Sequence, residues 1–270
     1  MSESLTVESA DGTIIGFERL GAGPPMVLVH GTTADHHRWA PVLPALAEHF
    51  TLHVVDRRGR GMSTAEANGE YDIRSEGADV AAVVAAAGRD VYLVGHSYGA
   101  LCSLEAALVS DAIGRILLYE PPAATEGHTV LPAAVIDSFR ADLARGDRDA
   151  VLTTFYRDVL HESEENIAAM RPTPMWKSRL AAAHTMVRES ETVETFDISA
   201  RLSAIGVPVR LLLGTESPAY FRPAAEAIAA QLPQVDIVPL PGQAHRAIDL
   251  DPDLFVRVVL DWLDPGGNRR

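Results

Sequence analysis

Through most of the chain, short apolar runs alternate with stretches whose apolar residues recur every three to four positions. This alternation predicts βαβ units and a mainly parallel sheet. Residues 5–9 and 13–19, separated by Ala10-Asp11-Gly12, predict an opening hairpin. Further strands are predicted at 26–30, 51–56, 90–95, 115–120, 207–214 and 235–239. Several of these are unbroken Val/Leu runs, as in strands covered on both faces. Helices are predicted at 39–48, 73–87, 97–108, 222–231 and 252–263, the last with Asp251 as N-cap and Pro252 at its first position.

The alternation stops between Pro121 and Ile205. Helical periodicity there covers 130–145, 150–161, 164–170, 174–189 and 193–204, with no convincing strand. A helical insertion between two strands of one sheet is most economically a cap over the strand ends. The expected division is therefore a core in two parts, 1–121 and 206–270, and a helical cap at 122–205, with 265–270 as a tail.

Composition narrows the function. The net charge is −14, from 23 Lys+Arg against 37 Asp+Glu, which disfavours a polyanionic partner such as nucleic acid or an anionic membrane surface. The same balance leans toward a neutral or cationic small-molecule substrate, although surface charge is screened within about 8 Å at physiological salt. Cys102 is the only cysteine, so neither an intrachain disulfide nor a cysteine-based metal cluster can form. The first twenty residues are polar and acidic, unlike a signal peptide. No apolar run reaches the roughly twenty residues that a membrane span needs. The expectation is a cytoplasmic protein.

Gly95-His96-Ser97-Tyr98-Gly99 is a G-x-S-x-G sequence between a buried strand and an Ala/Leu-rich helix. In that context the glycines permit a tight strand-to-helix turn that lifts the Ser97 hydroxyl clear of the backbone. A serine nucleophile needs a base. Of ten histidines, His245 lies between the last strand and the last helix, at the carboxyl edge that Ser97 also occupies. An oxyanion needs preorganised N–H groups; Tyr98, following the serine, and Thr32, in His30-Gly31-Thr32-Thr33, are the candidates. His30, Gly31, His36, Trp39 and Trp176 are candidate substrate contacts, and Met175, Phe155 and Tyr156 are further pocket candidates. His36-His37 alone is a weak metal-ligand signal, and no metal or cofactor is expected.

Together with Asp56 to Ser63 and Gly242-Gln243-Ala244-His245, these segments resemble the α/β-hydrolase fold superfamily over nearly the whole chain. The resemblance implies an α/β fold with a mostly parallel eight-stranded sheet, helices on both faces and a helical cap after strand six. It also implies Ser–acid–His catalysis without a cofactor, and a site shaped by the loop Asp56 to Ser63. Relatives commonly carry an Asp after strand seven, where this chain has Ser217 in Gly214-Thr215-Glu216-Ser217. Two carboxylates can substitute: Glu120, which ends strand six ahead of Pro121-Pro122, and Glu216, one residue from the usual position. Glu120 is the favoured acid and Glu216 the alternative.

The expected function is a serine hydrolase cleaving a small ester, lactone or thioester through an acyl-enzyme on Ser97. The same constellation serves carbon–carbon bond hydrolysis and haloperoxidase chemistry. The alternative is a non-hydrolytic member of the fold, a lyase, cyclase or small-molecule receptor, because fold does not dictate function.

Overall fold

The Val/Leu runs form eight strands: β1 (Glu3–Glu8), β2 (Ile14–Gly21), β3 (Pro25–Val29), β4 (Thr51–Val55), β5 (Val91–His96), β6 (Ile113–Tyr119), β7 (Val209–Gly214) and β8 (Val235–Leu240). These come from a computed structural model, which describes residues 2–64 and 71–263; the expected tail at 265–270 lies outside them. The α-helices up to the insertion are α1 (Leu43–Leu46), α2 (Ile73–Ala87) and α3 (Tyr98–Ala107). Between β6 and β7 come α4 (Ala133–Ala144), α5 (Arg148–Thr154), α6 (Glu164–Met170), α7 (Pro174–Ala182) and α8 (Met186–Thr195). The chain then adds α9 (Phe221–Ala229), α10 (Ala247–Leu250) and α11 (Pro252–Leu263).

One eight-stranded sheet runs β1-β2-β4-β3-β5-β6-β7-β8, and β2 alone is antiparallel to its neighbours. From β3 the chain steps to β4 on one side, and later returns to β5 on the other. The loops after β3 and β5 therefore leave the carboxyl edge beside each other, in the crevice where open α/β sheets bind ligands. Register levels that edge: Val29 pairs with Gly95, His96 with Tyr119, and Tyr119 with Leu212. His30, Ser97 and Glu120 thus each begin a loop at nearly the same height.

Alternate residues of the central strands feed two cores. Leu28, Leu52, Val94, Leu117 and Leu212 pack on the face covered by Phe255 and Val259 of α11. Val27, Val29, Leu93, Leu118 and Leu211 pack on the other, against α2 and α3. That second core continues without a break into Phe139, Leu152 and Met186 of the insertion, so the inserted helices share the sheet's apolar core.

Several element boundaries differ from the periodicity. The helix expected at 39–48 is a 3₁₀ turn, His36–Trp39, followed by the single turn α1. Pro41 and Pro44 lack the N–H groups that a continuous helix would use. The stretch 174–189 is cut by a 3₁₀ turn at Ala183–Thr185, and its second half runs on to Thr195. There Phe196 turns extended (φ −60°, ψ 127°) and buries its ring beneath the Arg201 guanidinium, 5.5 Å away. The expected helix at 193–204 is thereby reduced to a 3₁₀ turn at Ala200–Ala204. After α5 the backbone widens into a π-turn, Phe155–Val159, of the kind that often marks functional sites.

Candidate active site

Ser97 sits between β5 and α3 at φ 56°, ψ −127°, a left-handed conformation that disfavours a residue with a Cβ. Its N–H donates to the Tyr119 carbonyl at 2.8 Å, anchoring the bend to β6. The turn needs bare backbone around it. A Cβ on Gly99 would fall 2.4 Å from both the Val29 and His30 carbonyl oxygens, and one on Gly31 would fall 2.7 Å from the Ser97 Cβ. Because α3 begins at Tyr98, its first N–H groups lie at the serine, where the helix end favours negative charge.

His245 follows β8 and is 6% exposed. Its Nδ1–H donates to Glu120 Oε2 at 2.6 Å, which leaves Nε2 as the acceptor nitrogen. Glu120 is fully buried and, like Ser97, has a positive φ, 50°. Its other oxygen accepts the Gly214 N–H at 2.7 Å and the Ser217 hydroxyl. So Ser217, at the position where the resemblance implied an aspartate, holds the Glu120 carboxylate supplied by the neighbouring strand. Glu216 points away: it is exposed, its N–H donates to the Gln243 carbonyl at 2.9 Å, and its carboxylate meets Thr215 Oγ1 at 3.3 Å.

The imidazole of His245 is held on both sides. Phe221 stacks on it at 4.7 Å and 17°, and His96 packs at 4.6 Å. His96 Nε2 donates to the His245 carbonyl at 3.1 Å while its Nδ1 faces Arg38 Nε at 3.5 Å. Burial, reinforced by the neighbouring His245 and Arg38, pushes the pKa of His96 well below the ordinary histidine value, so this ring is neutral. Tyr119 donates its hydroxyl to the Ala244 carbonyl and accepts from the Ala247 N–H at 3.2 Å, fixing the loop that carries His245.

Ser97 opens into two lobes that share Thr32, Phe155 and Leu160. One holds Ser97 and His245 together with Arg38, Arg179 and Arg246. The other is mainly apolar, lined by Val130, Leu131, Val159, Val193 and Phe221. Residues of the inserted segment thus line the cavities into which Ser97 opens. Gly31 and Tyr156 line the arginine lobe. Trp39 is fully buried against Phe255 and His96, and Trp176 donates to Asp149 at 2.9 Å; neither lines a lobe at Ser97. His30 is fully buried behind Gly31, its Nε2 accepting the Arg57 N–H at 3.2 Å, and His36 Nδ1 bonds Asp56 at 2.8 Å.

The loop Asp56 to Ser63 is a structural clamp. Arg57 donates two hydrogen bonds to Glu76, at 2.6 Å each, and reaches Glu189 of α8 at 2.9 Å; Arg60 joins Glu189 at 2.5 Å. Arg58 pairs with Asp79 through two bonds of 2.7 Å. Burial opposes charge on Glu189, but Arg57, Arg60 and Arg188 outweigh it and hold the carboxyl well below its usual range.

A family model described as the alpha/beta hydrolase family matches residues 26–258. The chain belongs to that family. This alpha/beta hydrolase is 28% identical over 258 residues to N-formylmaleamate deformylase of Pseudomonas putida, with 90% of each chain covered. It is 24% identical over 250 residues to 2-(acetamidomethylene)succinate hydrolase of Mesorhizobium japonicum, covering 90% of this chain and 89% of the relative. A crystal structure of an alpha/beta hydrolase from Sphaerobacter thermophilus superposes with a TM-score of 0.83 at 35% identity, over 96% of this chain and all of the other. Named relatives of this breadth support an enzyme of the alpha/beta hydrolase type.

In this alpha/beta hydrolase, Asp35, His36 and His37 are the candidate metal-ligand grouping among the described residues, with one ligand atom each within 4.8 Å of one another. His36 is already bonded to Asp56, Asp35 accepts from Ser178, and His37 is exposed. Among the described residues, no helix is long and apolar enough to cross a membrane. Sequence reasoning passed over Arg38, Arg179, Arg246 and Phe221. Arg246 follows the His245 motif without belonging to it, the others lie in helical segments with no motif around them, and only the folded chain converges the four on Ser97.

Proposed function

We propose that the chain is a serine hydrolase that cleaves a small-molecule carboxylic ester, lactone or thioester. The reading rests chiefly on the 2.6 Å bond from His245 Nδ1 to buried Glu120, in a cavity that His245 shares with a left-handed Ser97. With Nδ1 protonated and held, Nε2 is free to take a proton from the serine.

In the first half-reaction Ser97 Oγ attacks the carbonyl carbon while its proton passes to His245 Nε2. The carbonyl electron pair moves to the oxygen, which receives N–H groups from Thr32 and Tyr98. Collapse expels the alcohol, thiol or ring oxygen, which takes the proton from His245. Water then repeats the sequence on the acyl-serine, releasing the acid and restoring Ser97. Glu120 remains ionised throughout and stabilises the imidazolium. Residues 122–205 serve as the cap, since Phe155, Tyr156, Leu160 and Arg179 bound the space above Ser97. Closing that space excludes water except during deacylation.

Incubation with p-nitrophenyl acetate followed by intact-mass and peptide spectrometry tests this directly. The expected result is an acetyl group on Ser97, with adduct and turnover both lost in Ser97→Ala. Full turnover by Ser97→Ala would overturn the assignment.

A further inference from the structure

The arginine lobe carries more positive charge than its surroundings balance. Arg38 donates to Asp249 at 2.6 Å. Arg246 reaches the same Asp249 and Glu162, at 3.4 Å each. Those two carboxylates therefore serve two of the arginines. Arg179, on α7, is the third. It is 8% exposed, and among the described residues it forms no ion pair. Its Nη1 donates to Thr33 Oγ1 at 3.1 Å, and its Cζ lies 5.6 Å from the Tyr156 ring centroid.

Two guanidinium nitrogens in this lobe are unused. Arg179 Nε and Arg38 Nη2 are buried and have no hydrogen-bond partner among the described residues. Both side chains line the cavity that contains Ser97 and His245. An unsatisfied buried donor is costly, and an unpaired buried cation more so. Arg38 and Arg179 also repel one another: burial lowers the affinity of Arg38 for its proton, and Arg179 adds to the effect. His96, neutral and buried behind them, supplies no counter-charge. A planar anion is the ligand that satisfies such a pair, because a carboxylate accepts N–H bonds from guanidinium groups in fixed directions.

We propose that Arg179, assisted by Arg38, forms a carboxylate-binding subsite, so that the substrate is an acyl compound bearing a free carboxylate close to its scissile bond. This deepens, and for its substrate class rests on, the serine-hydrolase reading. The apolar lobe on the other side of Ser97 takes the uncharged end. The overall charge of −14 argues for neutral or cationic substrates, but a local excess inside the cavity decides what binds there.

Two measurements on the full chain separate this proposal from the hydrolase reading. The first is calorimetric titration with butanoate and, separately, butanamide, which differ in charge but little in shape. Butanoate is expected to bind at least tenfold more tightly. That preference should fall below threefold in Arg179→Gln and return in part in Arg179→Lys, which keeps the charge but not the planar fork. Equal binding of the two probes, or a preference that survives Arg179→Gln, overturns the subsite. The second measurement is kcat/KM for phenyl hydrogen glutarate against phenyl pentanoate. An anionic-over-neutral ratio of ten or more, collapsing in Arg179→Gln, supports the proposal; a ratio of one or less overturns it. Selective butanoate binding without turnover of either ester would leave the subsite standing and refute the hydrolase. Turnover of both esters without selective butanoate binding would do the reverse.

Discussion

Replacing Glu120 by Gln changes one charge and almost no volume, and it isolates what the carboxylate does for His245. The amide oxygen can keep the bonds from the Gly214 N–H and the Ser217 hydroxyl, which both end on Oε1. The amide NH₂ must then face His245 Nδ1, which the carboxylate now accepts from at 2.6 Å. A donor in that place makes Nδ1 the acceptor and moves the ring proton to Nε2, the nitrogen needed as base for Ser97. The lost charge also matters. Opposite unit charges roughly 4 Å apart at an effective dielectric of about 20 attract by about 4 kcal/mol, and this is withdrawn from the imidazolium that forms in the transition state. At about 1.4 kcal/mol per factor of ten, that is about a thousandfold in rate, and the wrong tautomer extends it toward ten-thousandfold.

The assay is steady-state hydrolysis of p-nitrophenyl acetate, with KM expected within a few-fold because neither lobe at Ser97 is altered. Thermal unfolding of the variant serves as the folding control. Glu216→Gln, which changes an exposed group bonded only to its own loop, should keep at least half of wild-type kcat. A Glu120→Gln enzyme that retains more than a tenth of wild-type kcat, or a Glu216→Gln enzyme that loses it, would refute the reasoning.

Three other outcomes are expected. Gly99→Ala places a Cβ 2.4 Å from two carbonyl oxygens of the β3 edge, so denaturant unfolding should show a loss of roughly 3 kcal/mol or more, at the upper end for overpacking; a loss under about 1 kcal/mol would mean that the turn yields easily. Glu189→Gln strips the buried Arg57 and Arg60 of a shared counter-charge and loosens the tie between α8 and the sheet, at a cost of about 3–5 kcal/mol in the same measurement, whereas an unchanged midpoint would show the clamp to be dispensable. Stability should fall as the pH drops below about 6.5, because burial, together with nearby cations, depresses the pKa values of His30 and His96, so the unfolded chain takes up protons that the folded one refuses. Burial depresses His53 and His184 as well, whereas His36, which Asp56 raises against its own burial, opposes them; each depressed histidine adds up to about 1.4 kcal/mol per pH unit. Melting temperatures from pH 7 to pH 5 should fall less steeply in His96→Gln; a flat profile in the wild type, or identical slopes, contradicts the assignment.

Much of the fold is legible along the chain because its signals are local. The strand runs, the glycines around Ser97 and the Asp251–Pro252 helix start each depend on neighbours within a few residues. Asp251 does accept the Leu254 N–H at 3.1 Å as an N-cap. The helix boundaries in the insertion are the least legible from the chain. There, Phe196 leaves the helix to bury its ring, and Phe155 to Val159 widen into a π-turn, neither of which the apolar periodicity marks.

The site divides along the same line. Ser97 and His245 follow from motif and topology, since a βα turn in a parallel sheet must lie on the carboxyl edge. The choice between Glu120 and Glu216 does not, because it depends on which side chain crosses to His245, and Glu120 is 125 residues from its partner. Composition is blinder still: it sums charge over the whole surface, whereas binding responds to the few groups within a Debye length that water cannot reach. By itself the sequence determined the order of elements and the candidate nucleophile and base, all marked by adjacent residues. Only the tertiary structure brought Glu120 to His245 and left Arg179 without an ion pair among the described residues, because both arise from convergence of side chains that the chain keeps far apart.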